Sequence, residues 1–228
     1  PRRAPAVNTL RRLFLTLDQD DLEGAFRRHA RELNGTVQVT GKRTIALDGK
    51  TLRGSFDHLN DRKAAHVLSA FASDAALILA HQEGRDPGCA NADHRAGGVL
   101  FTADALHCQK DSFTRAAETG NGLLVQVKQN QPTLHETLAR LCAEHHPFDS
   151  HETVDRRRHG RQEHRLVEVF DTAGQLDTEW QPLIACVARV SRLTFEKDTR
   201  SGLWPSREEI GCYACQIRLD AGALPPAG

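Results

Sequence analysis

Short apolar runs, separated by polar and glycine-containing stretches, dominate the middle of this chain. Residues 43–47, 66–72 and 75–81 each predict a strand, because short runs rich in aliphatic and β-branched residues are typical of sheets. Residues 99–103 and 123–127 predict two further strands that are buried on both faces. The pattern therefore predicts a sheet of at least five strands.

Helical periodicity appears before and between these strands. Residues 10–17 and 18–33 predict two N-terminal helices, and residues 110–118 predict a helix between the fourth and fifth strands. Pro132 opens a further helix at its favoured first-turn position, followed by residues 133–144. The order β-β-β-β-α-β-α predicts an α/β fold with a ribonuclease-H-like mixed-sheet core.

Beyond this core the chain has a mostly β pattern. Residues 166–170, 183–190 and 210–219 predict strands with few helical signals between them. We therefore divide the chain into a helical N-terminal segment (1–40), a ribonuclease-H-like core (41–148), a β-rich insertion (149–220) and a tail (221–228) whose composition predicts disorder.

The composition restricts the class of protein and its partners. Of 228 residues, 39% are hydrophobic and 26% are charged, and the formal net charge is zero, so any DNA contact must come from local basic patches. No apolar run approaches the roughly 20 residues that span a bilayer, and we expect a cytoplasmic protein. The chain begins with Pro1 and contains no methionine, which indicates an internal piece or a processed chain.

The six cysteines are scattered along a chain too large to need disulfides, which predicts reduced thiols. Cys212 and Cys215 have CxxC spacing, but no second ligand pair follows them. Positions in an apolar strand explain this spacing better than a zinc site does.

Two aspartates end or follow apolar runs. Asp48 comes after the first predicted strand and Asp104 after the fourth. Mg²⁺ prefers hard oxygen ligands in fixed geometry, and two carboxylates delivered by buried strands suit a two-metal phosphoryl-transfer site. Lys50 and Arg53 follow Asp48 closely and would hold a polyanionic substrate against such a site.

Two other polar segments have alternative interpretations. Lys128 precedes the amides Asn130 and Gln131, which form either a capped turn or a set of phosphate contacts beside the same sheet edge. The charged run 156–165 is either a solvated face or a group of arginines that contact phosphates without reading sequence. Its candidate DNA-binding residues are Arg157, Arg158, Arg161 and Arg165.

Five motifs occur in an order that matches a known family. They are residues 45–55, 66–71, 102–109, 127–131 and 159–165. Together they resemble the ISAs-type, H-repeat-associated DDE transposases of bacterial insertion sequences, over about residues 8 to 217. The resemblance implies metal-dependent cleavage and strand transfer of double-stranded DNA, at transposon ends and target, with two Mg²⁺ ions for which Mn²⁺ can substitute. It makes Asp48 and Asp104 the first two acids of the catalytic triad and metal ligands, and it implies a possible homodimer on DNA in the bacterial nucleoid.

The third acid is missing from this pattern. In the family it lies on a late helix, after a strand that resembles residues 210–217, whereas this chain stops soon after that strand. The chain also departs from the family between residues 83 and 98, where a longer segment with a helix is usual. We therefore expect an inactive copy truncated at both ends. The alternatives are a DNA-binding remnant without catalysis and a self-contained ribonuclease-H-like nuclease, with Glu163 or Glu83 as third acid.

Overall fold

The computed structural model describes residues 4–35, 43–51, 66–72, 77–83, 98–157, 161–172 and 174–224. The helices are α1 (Val7–Thr16), α2 (Gln19–Gly35), α3 (Lys110–Glu118) and α4 (Pro132–Glu144). The strands are β1 (Thr44–Thr51), β2 (His66–Ala72), β3 (Leu77–Glu83), β4 (Leu100–Ala103), β5 (Gly122–Val127), β6 (Asp149–Arg157), β7 (Arg161–Asp171), β8 (Cys186–Glu196) and β9 (Ser206–Cys215). Two single 3₁₀ turns follow β4 and β9, at Ala105–His107 and Ala221–Ala223.

The nine described strands form one sheet in the order β3-β2-β1-β4-β5-β9-β8-β7-β6. β1 pairs with β4 and β4 with β5 in parallel, and every other neighbouring pair is antiparallel. The parallel pairs are joined by longer connections, of which the one from β4 to β5 contains α3. The predicted α/β class is therefore confirmed.

α3 and α4 cover one face of this sheet. Leu134, Leu138 and Leu141 of α4 are buried, and their spacing of four and three residues puts them on one helix face. Phe113 of α3 is fully buried and meets the ring of Trp180 edge to face, with 5.7 Å between centroids. These side chains form a core with buried residues of the strands below them, and this core fixes the helices against the sheet.

A second core lies on the opposite face. Leu100 and Leu124 from β4 and β5 share it with Val167 and Val169 from β7. Strand residues alternate between faces, so the neighbours Phe101 and Leu123 belong to the first core. The sheet is therefore buried on both sides at its centre.

The disorder predicted for residues 221–228 is wrong for residues 221–224. The backbone N–H of Ala221 donates to Asp149 Oδ2 at 2.7 Å, and the side chains of Ala221 and Leu224 are buried in the second core. Composition alone missed these few apolar anchors. Residues 225–228 lie outside the described part of the chain.

The sequence pattern also missed β6, whose residues are almost all polar. β6 is an edge strand, and most of its described side chains are exposed. Edge strands commonly carry charges that discourage further pairing, so an apolar signal is absent. β6 to β9 continue the core sheet through the pairing of β5 with β9.

The two N-terminal helices agree with the predicted ones within a few residues. Asp18 Oδ1 accepts hydrogen bonds of 3.0 Å from the backbone N–H of Asp20 and of Asp21, which satisfies free donors at the start of α2. α2 contacts β3 and buries Ala30. No helix of the described residues is long and apolar enough to cross a membrane.

Candidate active site at the ends of β1 and β4

Asp48 and Asp104 occupy equivalent positions on two adjacent strands. The parallel ladder between β1 and β4 ends at the pair Leu47–Ala103, and each aspartate is the next residue. Ile45, Leu47 and Phe101 are buried in the core below α3 and α4 and fix both strands. β1 continues through Asp48 to Thr51, paired with β2, so the first aspartate lies within its strand rather than after it.

Both aspartates face away from the helical layer. Ile45 and Leu47 point into the helical core, so alternation places Asp48 on the other face. Leu100 belongs to the opposite core, and the extended backbone of Asp104 continues the alternation of β4 to the same face. Both side chains are exposed. The sheet thus presents two neighbouring carboxylates to solvent on the face opposite α3 and α4.

The turn after β4 orients the Asp104 carboxylate. Its Oδ1 accepts a hydrogen bond from the backbone N–H of Leu106 at 3.2 Å, which caps the 3₁₀ turn. His107 is buried and its Nε2 lies 4.0 Å from the same oxygen, too far for a hydrogen bond. The geometry leaves Asp104 held at one oxygen by the backbone that follows it.

Two amide side chains, Asn130 and Gln131, hydrogen-bond to the backbone of this turn. Asn130 Nδ2 donates to the carbonyl of Ala105 at 2.5 Å, and Gln131 Nε2 donates to the carbonyl of Cys108 at 2.9 Å. The amides that the sequence offered as phosphate contacts therefore bind the backbone beside Asp104. Lys128 is exposed. Its role as a phosphate contact stays a prediction.

We expect Asn130→Ala to destabilise the fold by about 1–2 kcal/mol, because the partly buried hydrogen bond to the Ala105 carbonyl is lost. Urea unfolding measures this change. Gln129→Ala, which removes an adjacent exposed amide, is the matched control and should change stability by less than about 0.5 kcal/mol. Equal effects of the two variants would contradict the assigned role of Asn130.

The basic residues after Asp48 lie at the limit of what the structure describes. The backbone of Lys50 pairs with Val67 in the β1–β2 ladder, but its side chain is outside the described part. Arg53 is also outside it, as are residues 84–97, which the sequence pattern predicted to form a loop. Their contacts with a polyanion stay predictions.

The described residues of the charged run 156–165 belong to β6 and β7. Arg157 pairs with Arg161 in the ladder, and Arg158 lies outside the described residues. Arg161 is partly exposed, with its Nη2 3.4 Å from Glu163 Oε2. It lines a cleft of about 240 Å³ together with Arg192 and Arg207, two arginines that the sequence pattern did not single out as candidate sites.

Arg165, another candidate DNA-binding residue, is buried. Only 9% of it is exposed, and burial followed by the nearby Arg192 lowers the pKa of its guanidinium. Its place in the middle of β7, between Thr153 and Arg192, explains the burial. This burial does not fit a phosphate contact. Neither interpretation of the charged run, as a solvated face or as a DNA-binding surface, predicts a buried arginine.

Glu163 is unsuited to complete a site with the two aspartates. β7 is four strand positions from β4, which corresponds to about 19 Å at the usual spacing between strands. The Glu163 carboxylate lies between Arg161 and Arg192, with distances of 3.4 Å and 3.3 Å. The alternative that uses Glu163 as third acid is therefore wrong on geometry.

Glu83 is nearer to the candidate site. It pairs with Val67, which in turn pairs with Lys50, and β3 is two strand positions from β1, about 10 Å. Its side chain is outside the described part, so its role stays a prediction. Among the residues that the structure describes, no group of three or more His, Cys, Asp and Glu side chains could hold a metal ion.

Three curated proteins of Escherichia coli show what this chain is similar to. "H repeat-associated putative transposase YhhI" of strain K12 is 31% identical over 64% of this chain and 43% of its own length. "Putative transposase YncI" of O157:H7 is 29% identical over 87% of this chain and 54% of its own length. "H repeat-associated putative transposase YbfD" of strain K12 is 30% identical over 59% of this chain and 57% of its own length. The chain thus spans about half the length of these relatives.

Two other comparisons add little. No family model matches the chain. A solved S-adenosylmethionine-dependent methyltransferase from Clostridium acetobutylicum ATCC 824 is 9% identical, over 55% of this chain and 43% of that one, with a TM-score of 0.18. A similarity this low carries no argument about the fold.

Proposed function

Because the chain belongs to the H repeat-associated transposase family, we propose that it carries the ribonuclease-H-like catalytic core of an insertion-sequence transposase. Three antiparallel strands followed by two parallel ones, in the spatial order β3-β2-β1-β4-β5, support this core. The single observation that carries the proposal is the register of β1 and β4, which brings Asp48 and Asp104 to adjacent positions.

The donor set of this site fits Mg²⁺. Two exposed carboxylates on rigid strands supply hard oxygen ligands, and Mg²⁺ is commonly bound by one or two carboxylates together with substrate phosphates. Bound there, Mg²⁺ or Mn²⁺ would neutralise charge developing on a phosphodiester and lower the pKa of an attacking water or 3′ hydroxyl.

The chain's own residues would hold the metal ions and the turn beside them in position, and would not themselves react. Asp48 and Asp104 would fix the ions, and the backbone hydrogen bond from Leu106 limits how far the Asp104 carboxylate rotates. Asn130 and Gln131 would keep the turn behind Asp104 in place. Such preorganisation is what metal-dependent phosphoryl transfer requires of a protein.

The same face of the sheet offers a surface for duplex DNA. Alternation along β7 and β9 places Arg161 and Arg207 on the face of Asp48 and Asp104, since Val167 and Cys215 belong to the core on that face. The side chain of Arg207 is 81% exposed. We infer that arginines of the β6–β7 and β8–β9 hairpins hold DNA phosphates while the aspartates hold the scissile bond.

Metal binding tests the proposed site. With a dissociation constant of about 1 mM, 10 mM Mg²⁺ should stabilise the chain by about 1.4 kcal/mol, and Mn²⁺ should act similarly. We expect Asp48→Asn and Asp104→Asn each to remove this gain in thermal unfolding, because each deletes a ligand charge.

Glu136→Gln, at an exposed position on α4, is the control for loss of one carboxylate and should keep the gain. If the two aspartate variants respond to Mg²⁺ as the unchanged chain does, the proposed metal site is wrong.

A further inference from the structure

β9 brings two thiols to opposite faces of the sheet, and each meets a second thiol. Cys212 and Cys215 are three residues apart, so alternation sends them into different cores. Cys215 lies opposite Cys186 in the β8–β9 ladder. Cys212 lies in the helical core beside Cys142 of α4. The CxxC spacing therefore reflects two separate thiol pairs.

The Cys142–Cys212 pair joins the helical layer to the sheet. Both thiols lie in the core where α4 packs against β9, and Arg189 is the partner of Cys212 in the β8–β9 ladder. The residues are 4% and 7% exposed, so both are buried but neither is fully enclosed. Arg189 lies beside them and donates from Nη1 to the carbonyl of Cys142 at 3.0 Å. The two thiols lie 70 positions apart in the sequence, so their proximity is a tertiary one.

The pair differs from an ordinary buried thiol in its protonation. The hydrogen bond from Cys142 and then the charge of Arg189 lower the pKa of Cys212 to about 7, against the opposing effect of burial. The same hydrogen bond and burial raise the pKa of Cys142. At Cys108, burial raises the pKa to about 11. Because the thiolate is the nucleophile, Cys212 is the reactive member of the pair at neutral pH.

We propose that Cys142 and Cys212 form an oxidisable dithiol that hydrogen peroxide converts into a disulfide between α4 and β9. The Cys212 thiolate attacks one peroxide oxygen, the O–O bond breaks, and hydroxide leaves, so that sulfur becomes a sulfenic acid. The sulfur of Cys142 then attacks the sulfenic sulfur and displaces hydroxide, which takes the thiol proton and leaves as water. Two thiols are oxidised by two electrons and one peroxide is reduced to two waters.

This crosslink would act on the helix that begins beside the candidate site. α4 starts directly after Asn130 and Gln131, which hold the turn behind Asp104. A disulfide would tie this helix to β9 and restrict its movement relative to the sheet. The inference needs only the thiol pair and does not depend on transposase chemistry.

Peptide mapping tests the proposal in the full 228-residue chain. The reduced chain is treated with hydrogen peroxide, denatured in an alkylating reagent, digested and analysed by mass spectrometry. We expect a linked peptide that contains Cys142 and Cys212 and has lost two hydrogen atoms, and we expect reduction to reverse it. A disulfide found between Cys186 and Cys215 while Cys142 and Cys212 remain alkylated would overturn the proposal.

Single variants test the order of the two steps. In Cys142→Ser the sulfenic acid on Cys212 should accumulate and be trapped by dimedone during unfolding, because its resolving thiol is gone. In Cys212→Ser neither adduct nor disulfide should form at Cys142. Cys108→Ser removes a buried thiol outside the pair and should leave the crosslink intact. A dimedone adduct on Cys142 in place of Cys212 would contradict the assigned nucleophile, and the unmutated chain decides the crosslink itself if a variant fails to fold.

Discussion

The 228-residue chain should show no detectable cleavage or joining of DNA carrying transposon ends in Mg²⁺ or Mn²⁺. The described residues bring together two carboxylates, Asp48 and Asp104, and the site proposed for the family needs a third. Mg²⁺ requires near-ideal octahedral geometry and dehydrates reluctantly, so loss of one ligand disturbs the whole cage. Removing one preorganised group that stabilises developing charge typically costs about 10²–10³ in rate.

A chimaera provides the decisive comparison. Joining the C-terminal part of the E. coli relative YhhI to this chain should supply the third acid and restore strand cleavage. Asp48→Ala and Asp104→Ala should each abolish that activity again. The full-length relative, assayed on its own transposon ends, is the positive control for the conditions.

Activity of the unextended chain would contradict this assignment. If that activity disappeared in Glu163→Gln, the third acid would lie where the strand order argues against it. Glu83→Gln provides the matched test for the nearer carboxylate, whose strand is two positions from β1. Loss of activity there would favour a self-contained nuclease.

The core strands of this fold can be predicted from the sequence because they are buried. The run from Leu100 to Ala103 and the run from Leu123 to Val127 have few polar residues, and both lie between two hydrophobic cores. Apolar runs this short, bounded by glycine or polar residues, favour a buried strand over a buried helix. The positions of Asp48 and Asp104 followed from the ends of the apolar runs 43–47 and 99–103.

The outer part of the sheet was less predictable, for a physical reason. β6 is an exposed edge, so its polar residues carry no burial pattern. The pairing of β5 with β9 joins residues 85 to 91 positions apart, with Leu124 opposite Cys215 at the upper end, and local patterns contain no information about such register. In the sequence Arg165 cannot be distinguished from the other arginines of its run, because burial of a charge depends on the strands on either side.

Amide side chains near the site gave two equally plausible interpretations. A turn that follows a strand and contains Asn130 and Gln131 suits both capping and phosphate binding. The choice depends on whether backbone carbonyls lie within reach, and here Ala105 and Cys108 supply them. Only the three-dimensional arrangement of β4, β5 and their turns decides this.

The largest expected effect on DNA binding comes from four arginines in or between β6, β7 and β9. We expect a variant with alanine at Arg157, Arg158, Arg161 and Arg207 to lose most of its affinity for duplex DNA of any sequence. Each lost phosphate contact should reduce the slope of log K against log salt concentration by about 0.9, so four contacts reduce it by about 3–4. Fluorescence anisotropy over a range of salt concentrations measures both quantities.

Arg165 is left unchanged in this variant because its burial gives it a structural role. Alone, Arg165→Ala should lower the unfolding temperature more than it lowers the salt slope, since a buried charge network loses a member. Arg115→Ala with Arg140→Ala is the charge control, because both side chains are exposed on α3 and α4, which cover the opposite face of the sheet. An unchanged slope in the fourfold variant would assign these arginines to a solvated surface, and an equal fall in the helix-layer control would mean that DNA contacts the other face.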